Sequence, residues 1–190
     1  FKNLCINVND YQHHHIPSPP YQKRRAAVAA ILRWHCSHNK ERMKNRVDSI
    51  KTVKEFFEQS WVKEDKEGYA ELLFMQRTSR VGDRWSGHVS FVGGKNEIGE
   101  TDEETVKREV IEEIGIDLNK NYIKVGQLDE REIVSIKDNK LLMILCPFVY
   151  LQIVPESPPF KLQLSEVAAV ECKEYKHVYI HIYIYVCVCV

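Results

Sequence analysis

Apolar and polar positions recur with different periods along this chain, and these periods predict where its strands and helices lie. The partly alternating segment 69–77 (YAELLFMQR) predicts a strand, and the apolar run 141–154 predicts a buried strand. The segment 124–136 predicts a strand followed by a hairpin turn at 138–139. The apolar run 25–34 (RAAVAAILRW) fits either a helix or a strand on its pattern alone.

A helical period appears in the charged stretch from about residue 38 to residue 66. Four apolar residues recur there at helical spacing: Val47, Ile50, Val53 and Phe57. The pattern predicts an amphipathic helical insertion, with Phe56 and Trp61 packing back onto the body of the domain.

A second helix is predicted at about 102–114, because signals for both of its ends are present. Thr101 and Glu104 form a capping box, in which the hydroxyl and the carboxylate satisfy backbone N–H groups of the first turn. Gly115 stands where a left-handed residue would end the helix. One side of this helix carries an apolar stripe and a separate arc carries three carboxylates, Glu109, Glu112 and Glu113.

These three glutamates repel one another on a bare helix, at a cost of a few tenths of a kcal/mol per pair. A hard divalent cation would convert that repulsion into ligation, since Mg²⁺ prefers oxygen ligands and commonly keeps substrate phosphates in its shell. The alternative for three glutamates alone is a solvated helix face, because glutamate is a good helix former and is mostly exposed.

Further residues at fixed offsets favour the metal site over the solvated face. Seven positions belong to the pattern: Gly94, Glu100, Arg108, Glu109, Glu112, Glu113 and Gly115. Together they resemble a complete Nudix box, the signature of hydrolases that act on a nucleoside diphosphate linked to another group. The resemblance implies an α/β/α sandwich with a mixed β-sheet, in which the box forms a loop–helix–loop and 25–34 is a central strand.

The same resemblance implies roles for the box residues. Glu109 and Glu113 would bind Mg²⁺ or Mn²⁺, and Glu112 would be a third ligand or the group that activates water. Arg108 would orient the glutamates and pair with Glu100. Gly93 and Gly94 would let the backbone approach metal and phosphate closely, a task suited to residues without side chains.

The segment 72–94 (LLFMQRTSRVGDRWSGHVSFVGG) is similar to the extra motif of the coenzyme A diphosphatase branch of that family. Two departures stand out: Val92 replaces the proline of that branch, and Arg84 is displaced by one position. Arg77 and Arg84 are candidates for phosphate contacts, because a guanidinium can donate two parallel hydrogen bonds to two oxygens of one phosphate. The alternative for each arginine is an ion pair on the protein surface.

The expected reaction is metal-assisted hydrolysis of a phosphoanhydride, with coenzyme A or a derivative as the first-choice substrate. Glu112 or Glu166 would accept the proton of the attacking water. Glu130 and Glu132 are competing candidates for this base. If neither is the base, each is expected to be a solvated charge beside a strand. ADP-ribose and dinucleoside polyphosphates are the alternative substrates. Two alternatives are not enzymes. The chain could be a nucleotide- or RNA-binding module without catalysis, or a truncated and inactive Nudix-fold protein.

The amino-acid composition limits the classes of binding partner that we expect for this chain. The 27 basic and 27 acidic residues balance, so no net field attracts nucleic acid or a membrane, and a small nucleotide diphosphate is the expected partner. Six cysteines form no CxxC pair, which favours reduced thiols and an intracellular location. The expected compartment is the cytoplasm by default, with mitochondria or peroxisomes as alternatives, and oligomeric state cannot be read from the sequence.

The expected organisation is one domain at 21–172 between two atypical ends. Residues 1–20 are polar and end in IPSPP, which predicts an extended or disordered lead-in. Residues 173–190 end in dipeptide repeats (YIHIYIYVCVCV), which we interpret as a translated dinucleotide repeat.

Overall fold

The computed structural model describes residues 1–37, 50–82, 85–135 and 137–175. In these ranges the helices are α1 (Lys2–Asp10), α2 (Val53–Phe57), α3 (Ser60–Lys63) and α4 (Asp102–Ile114). The strands are β1 (Arg25–His35), β2 (Tyr69–Arg77), β3 (Val89–Ser90), β4 (Val92–Lys95), β5 (Tyr122–Gln127), β6 (Arg131–Val134), β7 (Leu141–Gln152) and β8 (Val167–Glu174). The strand predictions for 25–34, 69–77 and 141–154 are confirmed.

Strands β1 and β7 form the centre of one mixed sheet. They run parallel, with Ala26 opposite Leu145 and Ala30 opposite Val149. Both strands are buried over most of their length, which is the reason that their sequences are almost continuously apolar.

The remaining strands add antiparallel pairs at the two sides of this centre. Strands β2 and β4 share the free edge of β1, where Leu32 lies opposite Leu72 and Val28 lies opposite Gly93. Strand β8 extends the sheet beyond β2, while β5 and β6 pair with the far edge of β7. The β6–β7 connection is the hairpin predicted around 138–139, and it is closed by the Ser135 N–H donating to the Lys140 carbonyl at 2.8 Å.

Helices cover both faces of the sheet, which confirms the α/β/α sandwich. Helix α4 packs on one face through its apolar stripe: Val106, Val110 and Ile114, all fully buried. Helices α1, α2 and α3 cover the other face. Alternate residues of β1 point to opposite faces, so Ala27 and Ile31 face α4 while Val28 and Leu32 face the other helices.

The prediction of an extended or disordered lead-in at 1–20 is wrong for its first half, where α1 is a regular helix. The reason is tertiary packing. Cys5 is completely buried in the core, and the ring of Phe1 contacts the rings of Trp34 and Phe57 at centroid distances of 6.0 and 5.6 Å. Residues 12–19 have neither helix nor strand, as predicted.

The helical insertion is confirmed only where the structure describes it. Residues 50–66 contain the two short helices α2 and α3, and Phe56 and Trp61 pack against the core as expected. Residues 38–49 lie outside the described residues. The predicted domain end at 172 is two residues early, because β8 continues to Glu174, and most of the predicted tail lies outside the described residues.

No helix among the described residues has both the length and the apolar character needed to cross a bilayer.

Candidate active site

Helix α4 is fixed at both ends by the residues that the sequence singles out. The Glu104 N–H donates to the Thr101 hydroxyl at 3.2 Å, and the Thr101 N–H donates to the Glu104 carboxylate at 2.9 Å. Gly115 ends the helix with φ of 73°. A side chain there would also meet Lys161, whose Cβ lies 2.6 Å from the position of an added Cβ. These local signals set the register of the three glutamates, which we call the glutamate cluster (Glu109, Glu112 and Glu113).

Arg108 connects the glutamate cluster to the loop that precedes the helix. Its Nε and Nη2 bind the two carboxylate oxygens of Glu100 at 2.7 and 3.0 Å. Its Nη1 donates to Glu109 at 2.9 Å and to Glu112 at 3.0 Å, so one cation holds two of the three carboxylates close together. Chiefly because of the hydrogen bond from Arg108, the pKa of Glu100 is lowered to about 2. The predicted pair of Arg108 and Glu100 is therefore present.

Glu113 is the most buried member of the cluster, with 3% of its surface exposed. Its carboxylate accepts a hydrogen bond from the Gly93 N–H at 3.0 Å. Burial raises the pKa of Glu113 to about 8, and the negative charges of Glu109 and Glu166 act in the same direction. Burial also raises the pKa of Glu109, whereas the side chain of Glu112 is 58% exposed. Two of the three carboxylates therefore lie where negative charge is costly.

The corner formed by Gly93 and Gly94 leaves no room for side chains. Gly93 has φ of 148°, and a Cβ added to it would lie 2.1 Å from the Ala27 carbonyl oxygen. A Cβ on Gly94 would lie 2.5 Å from the carboxylate carbon of Glu109. The absence of both side chains lets the backbone contact the glutamate cluster. The approach of this corner to phosphate stays a prediction.

The donor set of the glutamate cluster fits a divalent cation. All its groups are carboxylate oxygens, which suit Mg²⁺ or Mn²⁺. The raised pKa values of Glu109 and Glu113 mean that their environment supplies too little positive charge for ionised carboxylates. A divalent ion would provide that charge.

A second group of acidic residues lies at the N-terminal end of α4, and no local sequence pattern indicates it. A carboxylate oxygen of Asp102, a carboxylate oxygen of Glu130 and the sulfur of Cys146 lie within 4.8 Å of one another. Arg25 occupies this group: its Nη2 lies 2.9 Å from Asp102, 2.6 Å from Glu130 and 3.1 Å from the Cys146 sulfur. We call these four residues the Arg25 cluster. Because a guanidinium already fills it, the cluster is an internal ion pair and not a metal centre.

The Arg25 cluster removes Glu130 from the candidates for the catalytic base. Its side chain is 1% exposed, and it also accepts hydrogen bonds from the Ile16 N–H at 2.7 Å and from the ring of His15 at 2.9 Å. The alternative of a solvated charge is therefore also wrong for Glu130. Glu132 is exposed on β6, in agreement with the solvated alternative for that residue.

Glu166 lies near the glutamate cluster, at the point where β8 begins. Its backbone carbonyl accepts from the Thr78 N–H at 2.8 Å, which ties it to the end of β2. Its carboxylate is 45% exposed and lies 3.9 Å from Arg80 Nη2. The negative charge of Glu166 raises the pKa of both Glu109 and Glu113, so the fold brings this distant residue into electrostatic contact with the box.

Arg77 also lies near the glutamate cluster, since its positive charge opposes part of the rise in the pKa of Glu113. It lines a cleft on the sheet face opposite α4, together with the glycine corner. The other residues lining this cleft are Ala26, Val28, Trp85, Ser90, Phe91, Lys95 and Met143. The predicted phosphate contact at Arg84 lies outside the described residues.

Comparison with known proteins identifies the family of this arrangement. A model of the NUDIX domain family matches residues 59–183, which is more than half of the chain. An uncharacterised protein of Schizosaccharomyces pombe is 42% identical over 102 residues, covering 53% of this chain and 30% of its own length. The chain therefore spans less than a third of that curated relative.

Solved structures with similar architecture include an Ap4A hydrolase binary complex from Caenorhabditis elegans. It is 14% identical, has a TM-score of 0.49, and is matched over 84% of this chain and 87% of its own. The NUDIX domain of Shewanella oneidensis NrtR in complex with ADP ribose is 12% identical, with a TM-score of 0.49 and coverage of 91% and 84%. At these identities and scores the structures identify no substrate for this chain.

Proposed function

The chain belongs to the NUDIX family of hydrolase domains, and from this premise we propose that it hydrolyses the phosphoanhydride of coenzyme A or of a coenzyme A derivative. The observation that carries the proposal is the glutamate cluster against the glycine corner, with Arg77 close to both. This arrangement offers ligands for a cation, a backbone that tolerates close approach, and a guanidinium for phosphate oxygens.

The side chains of Glu109, Glu112 and Glu113 would hold Mg²⁺ or Mn²⁺. When bound, the ion would neutralise the diphosphate oxygens and lower the pKa of the attacking water. Arg108 keeps Glu109 and Glu112 in place, because its Nη1 donates to both. Gly93 keeps Glu113 in place through its backbone N–H.

Proton transfer is assigned to a carboxylate oxygen of Glu112 or Glu166. Both are partly exposed, so both can reach solvent water, and Glu166 acts electrostatically on the cluster from outside the box helix. The water oxygen forms a bond to phosphorus, its proton goes to the carboxylate, and the bridging oxygen leaves with the other half of the substrate. With coenzyme A the products are 3′,5′-ADP and 4′-phosphopantetheine.

The choice of coenzyme A rests on the segment that leads into the glycine corner. The strand β2 carries Leu73, Phe74 and Arg77 of the similar motif, and Phe91 lies beside Phe74 with stacked rings 5.4 Å apart. Val92 stands where the coenzyme A branch has proline, and it is completely buried in the core on the α4 side. The replacement therefore fills a packing position and leaves the glycine corner intact.

A substrate screen tests this proposal. Purified protein is incubated with coenzyme A, ADP-ribose or diadenosine tetraphosphate, each with Mg²⁺ or Mn²⁺, and the products are separated by chromatography. We expect coenzyme A to be consumed fastest and to yield 3′,5′-ADP. Coenzyme A that stays intact while another diphosphate is consumed would reject the substrate and keep the reaction class.

A further inference from the structure

A second concavity lies next to the glycine corner, and we call it the cationic groove. One wall is the segment 20–25, which leads into β1, and the other is the segment 95–99, which leads towards α4. The walls are joined at Asn96, whose N–H donates to the Arg25 carbonyl at 3.2 Å and whose side-chain amide donates to Asp102 at 2.8 Å. The contacts of Asn96 therefore hold the two walls of the groove together and also anchor the N-terminal end of α4.

Positive charge in this groove is not neutralised by the protein. Lys23, Arg24 and Lys95 line it, all three are exposed, and their side chains form no ion pair within the described part of the chain. Arg25 also lines the groove, but its guanidinium is bound to the Arg25 cluster. Glu97 is the single acidic residue among those lining the groove. The groove thus presents more positive than negative charge to solvent.

Two exposed apolar side chains flank these cations. Tyr21 has 83% of its surface exposed and Ile98 is fully exposed, at 107%. An aromatic ring and an aliphatic side chain beside several cations fit a ligand that combines a phosphate with an apolar or aromatic part, as a nucleotide does. Charge alone would fit any anion, so the apolar flank narrows the ligand class.

The groove is continuous with the catalytic centre. Lys95 lines both the groove and the cleft that contains Arg77. Its carbonyl accepts from Arg108 Nη2 at 3.0 Å, and the preceding residue, Gly94, touches the carboxylate of Glu109. A substrate with its diphosphate at the glycine corner therefore needs to extend past only one residue to reach the groove.

We infer that the cationic groove selects substrates that carry a phosphate monoester on the nucleotide arm. The inference rests on the proposed function and identifies the group as the 3′-phosphate of coenzyme A. Lys23 and Arg24 would pair with this dianion, and Tyr21 would pack against the adjacent nucleoside. The groove would then distinguish coenzyme A from diphosphates that lack the extra phosphate, such as dephospho-coenzyme A.

Two substrates that differ only in this phosphate provide the test. KM and kcat are measured for coenzyme A and for dephospho-coenzyme A with the wild-type protein and with the double variant K23Q/R24Q. We expect the wild-type KM to be roughly five- to ten-fold lower for coenzyme A, because two exposed ion pairs are lost without the 3′-phosphate. In K23Q/R24Q the two KM values should be equal, with kcat little changed.

The matched control is K51Q/K54Q, which removes two exposed lysines at the start of α2, away from both concavities. It should keep the preference for coenzyme A. Equal KM values in the wild type, or a preference that persists in K23Q/R24Q, would overturn the inference while hydrolysis of coenzyme A continues. If the wild type cleaves neither coenzyme but consumes ADP-ribose, the proposed function is wrong and the inference is overturned with it.

Discussion

The Arg25 cluster, which meets helix α4 at Asp102, and the glutamate cluster, which lies on α4, both contain carboxylates and have opposite electrostatics. In the Arg25 cluster a partly buried guanidinium binds Asp102 and Glu130. Burial acts to raise the pKa values of both carboxyls, but the hydrogen bonds from Arg25 and their other donors together lower them. In the glutamate cluster burial prevails, and the pKa of Glu113 rises to about 8. One cluster contains its own counter-charge and the other lacks enough of it.

This difference predicts a structural role for the Arg25 cluster and a functional role for the glutamate cluster. A carboxylate that is neutralised inside the protein stabilises the fold and has little capacity left for a ligand. A buried carboxylate with too little counter-charge costs stability, and such carboxylates are concentrated at sites that bind a cation or a substrate. The comparison therefore predicts that changes in the glutamate cluster affect activity, while changes in the Arg25 cluster affect stability.

The largest expected effect comes from Glu113→Gln. The substitution removes one ligand charge, and hydrolysis should fall by about three orders of magnitude. Initial rates of product formation at saturating Mg²⁺ measure this. The variant should remain folded, and without metal it should resist urea at least as well as the wild type at pH 7.5, because Gln needs no proton to be neutral in the folded state, whereas Glu113 must take one up on folding.

Glu132→Gln is the matched control, since this glutamate is exposed on β6 and outside both clusters. Its rate should stay within about two-fold of the wild type. A Glu113→Gln variant with wild-type turnover would remove the glutamate cluster from the mechanism and erase the distinction between the two clusters.

Arg25→Met tests the other side of the comparison. It leaves the buried carboxylates of Asp102 and Glu130 without their cation, so the free energy of unfolding should fall by about 3 kcal/mol. Urea denaturation monitored by circular dichroism measures the loss. Lys54→Met, an exposed change on α2, should cost less than about 0.5 kcal/mol. Equal stability of Arg25→Met and wild type would show that the cluster does not hold the fold together.

The pH dependence of stability sharpens the contrast further. Glu113 has a folded pKa of about 8 against an ordinary value of 4.5, so the folded state binds the extra proton between these values. Stability of the metal-free protein should therefore fall as pH rises through that window. Asp102 and Glu130 have lowered pKa values, so their contribution is present above their ordinary pKa values and is lost as pH falls below them.

Melting temperatures measured between pH 3 and pH 9 in the presence of a chelator would reveal both effects. The decline that accompanies rising pH between about 4.5 and 8 should be smaller in Glu113→Gln, with the remainder due to Glu109, while the decline at acidic pH should remain. A decline of the same size in both proteins between about pH 4.5 and 8 would assign it to a group other than Glu113.

Sequence reasoning predicted the glutamate cluster because its determinants are local. Thr101, Glu104 and Gly115 fix the helix ends, and the three glutamates follow from helical spacing within five residues. The strands β1 and β7 were accessible for a similar reason, since burial on both faces leaves a continuous apolar run. Whether the site residues act as assigned stays a prediction.

The Arg25 cluster could not be predicted in this way. Its members are separated by up to 121 positions and meet only after β1, β7 and α4 have packed. No local pattern distinguishes Glu130 from the exposed Glu132, and Arg25 is preceded by two other basic residues, Lys23 and Arg24, from which no local pattern distinguishes it. Helix α1 was missed for the same reason, because burial of Cys5 depends on a core built from distant residues.

Calorimetric titration with Mn²⁺ tests the central claim most directly, namely that the glutamate cluster is short of positive charge and binds a divalent ion. We predict that the wild-type protein binds Mn²⁺ at pH 7.5 and releases protons, because Glu113 must ionise, and that Glu113→Gln binds at least about ten-fold more weakly without that release. A wild-type protein that takes up no ion, even with 3′,5′-ADP present, would contradict the account.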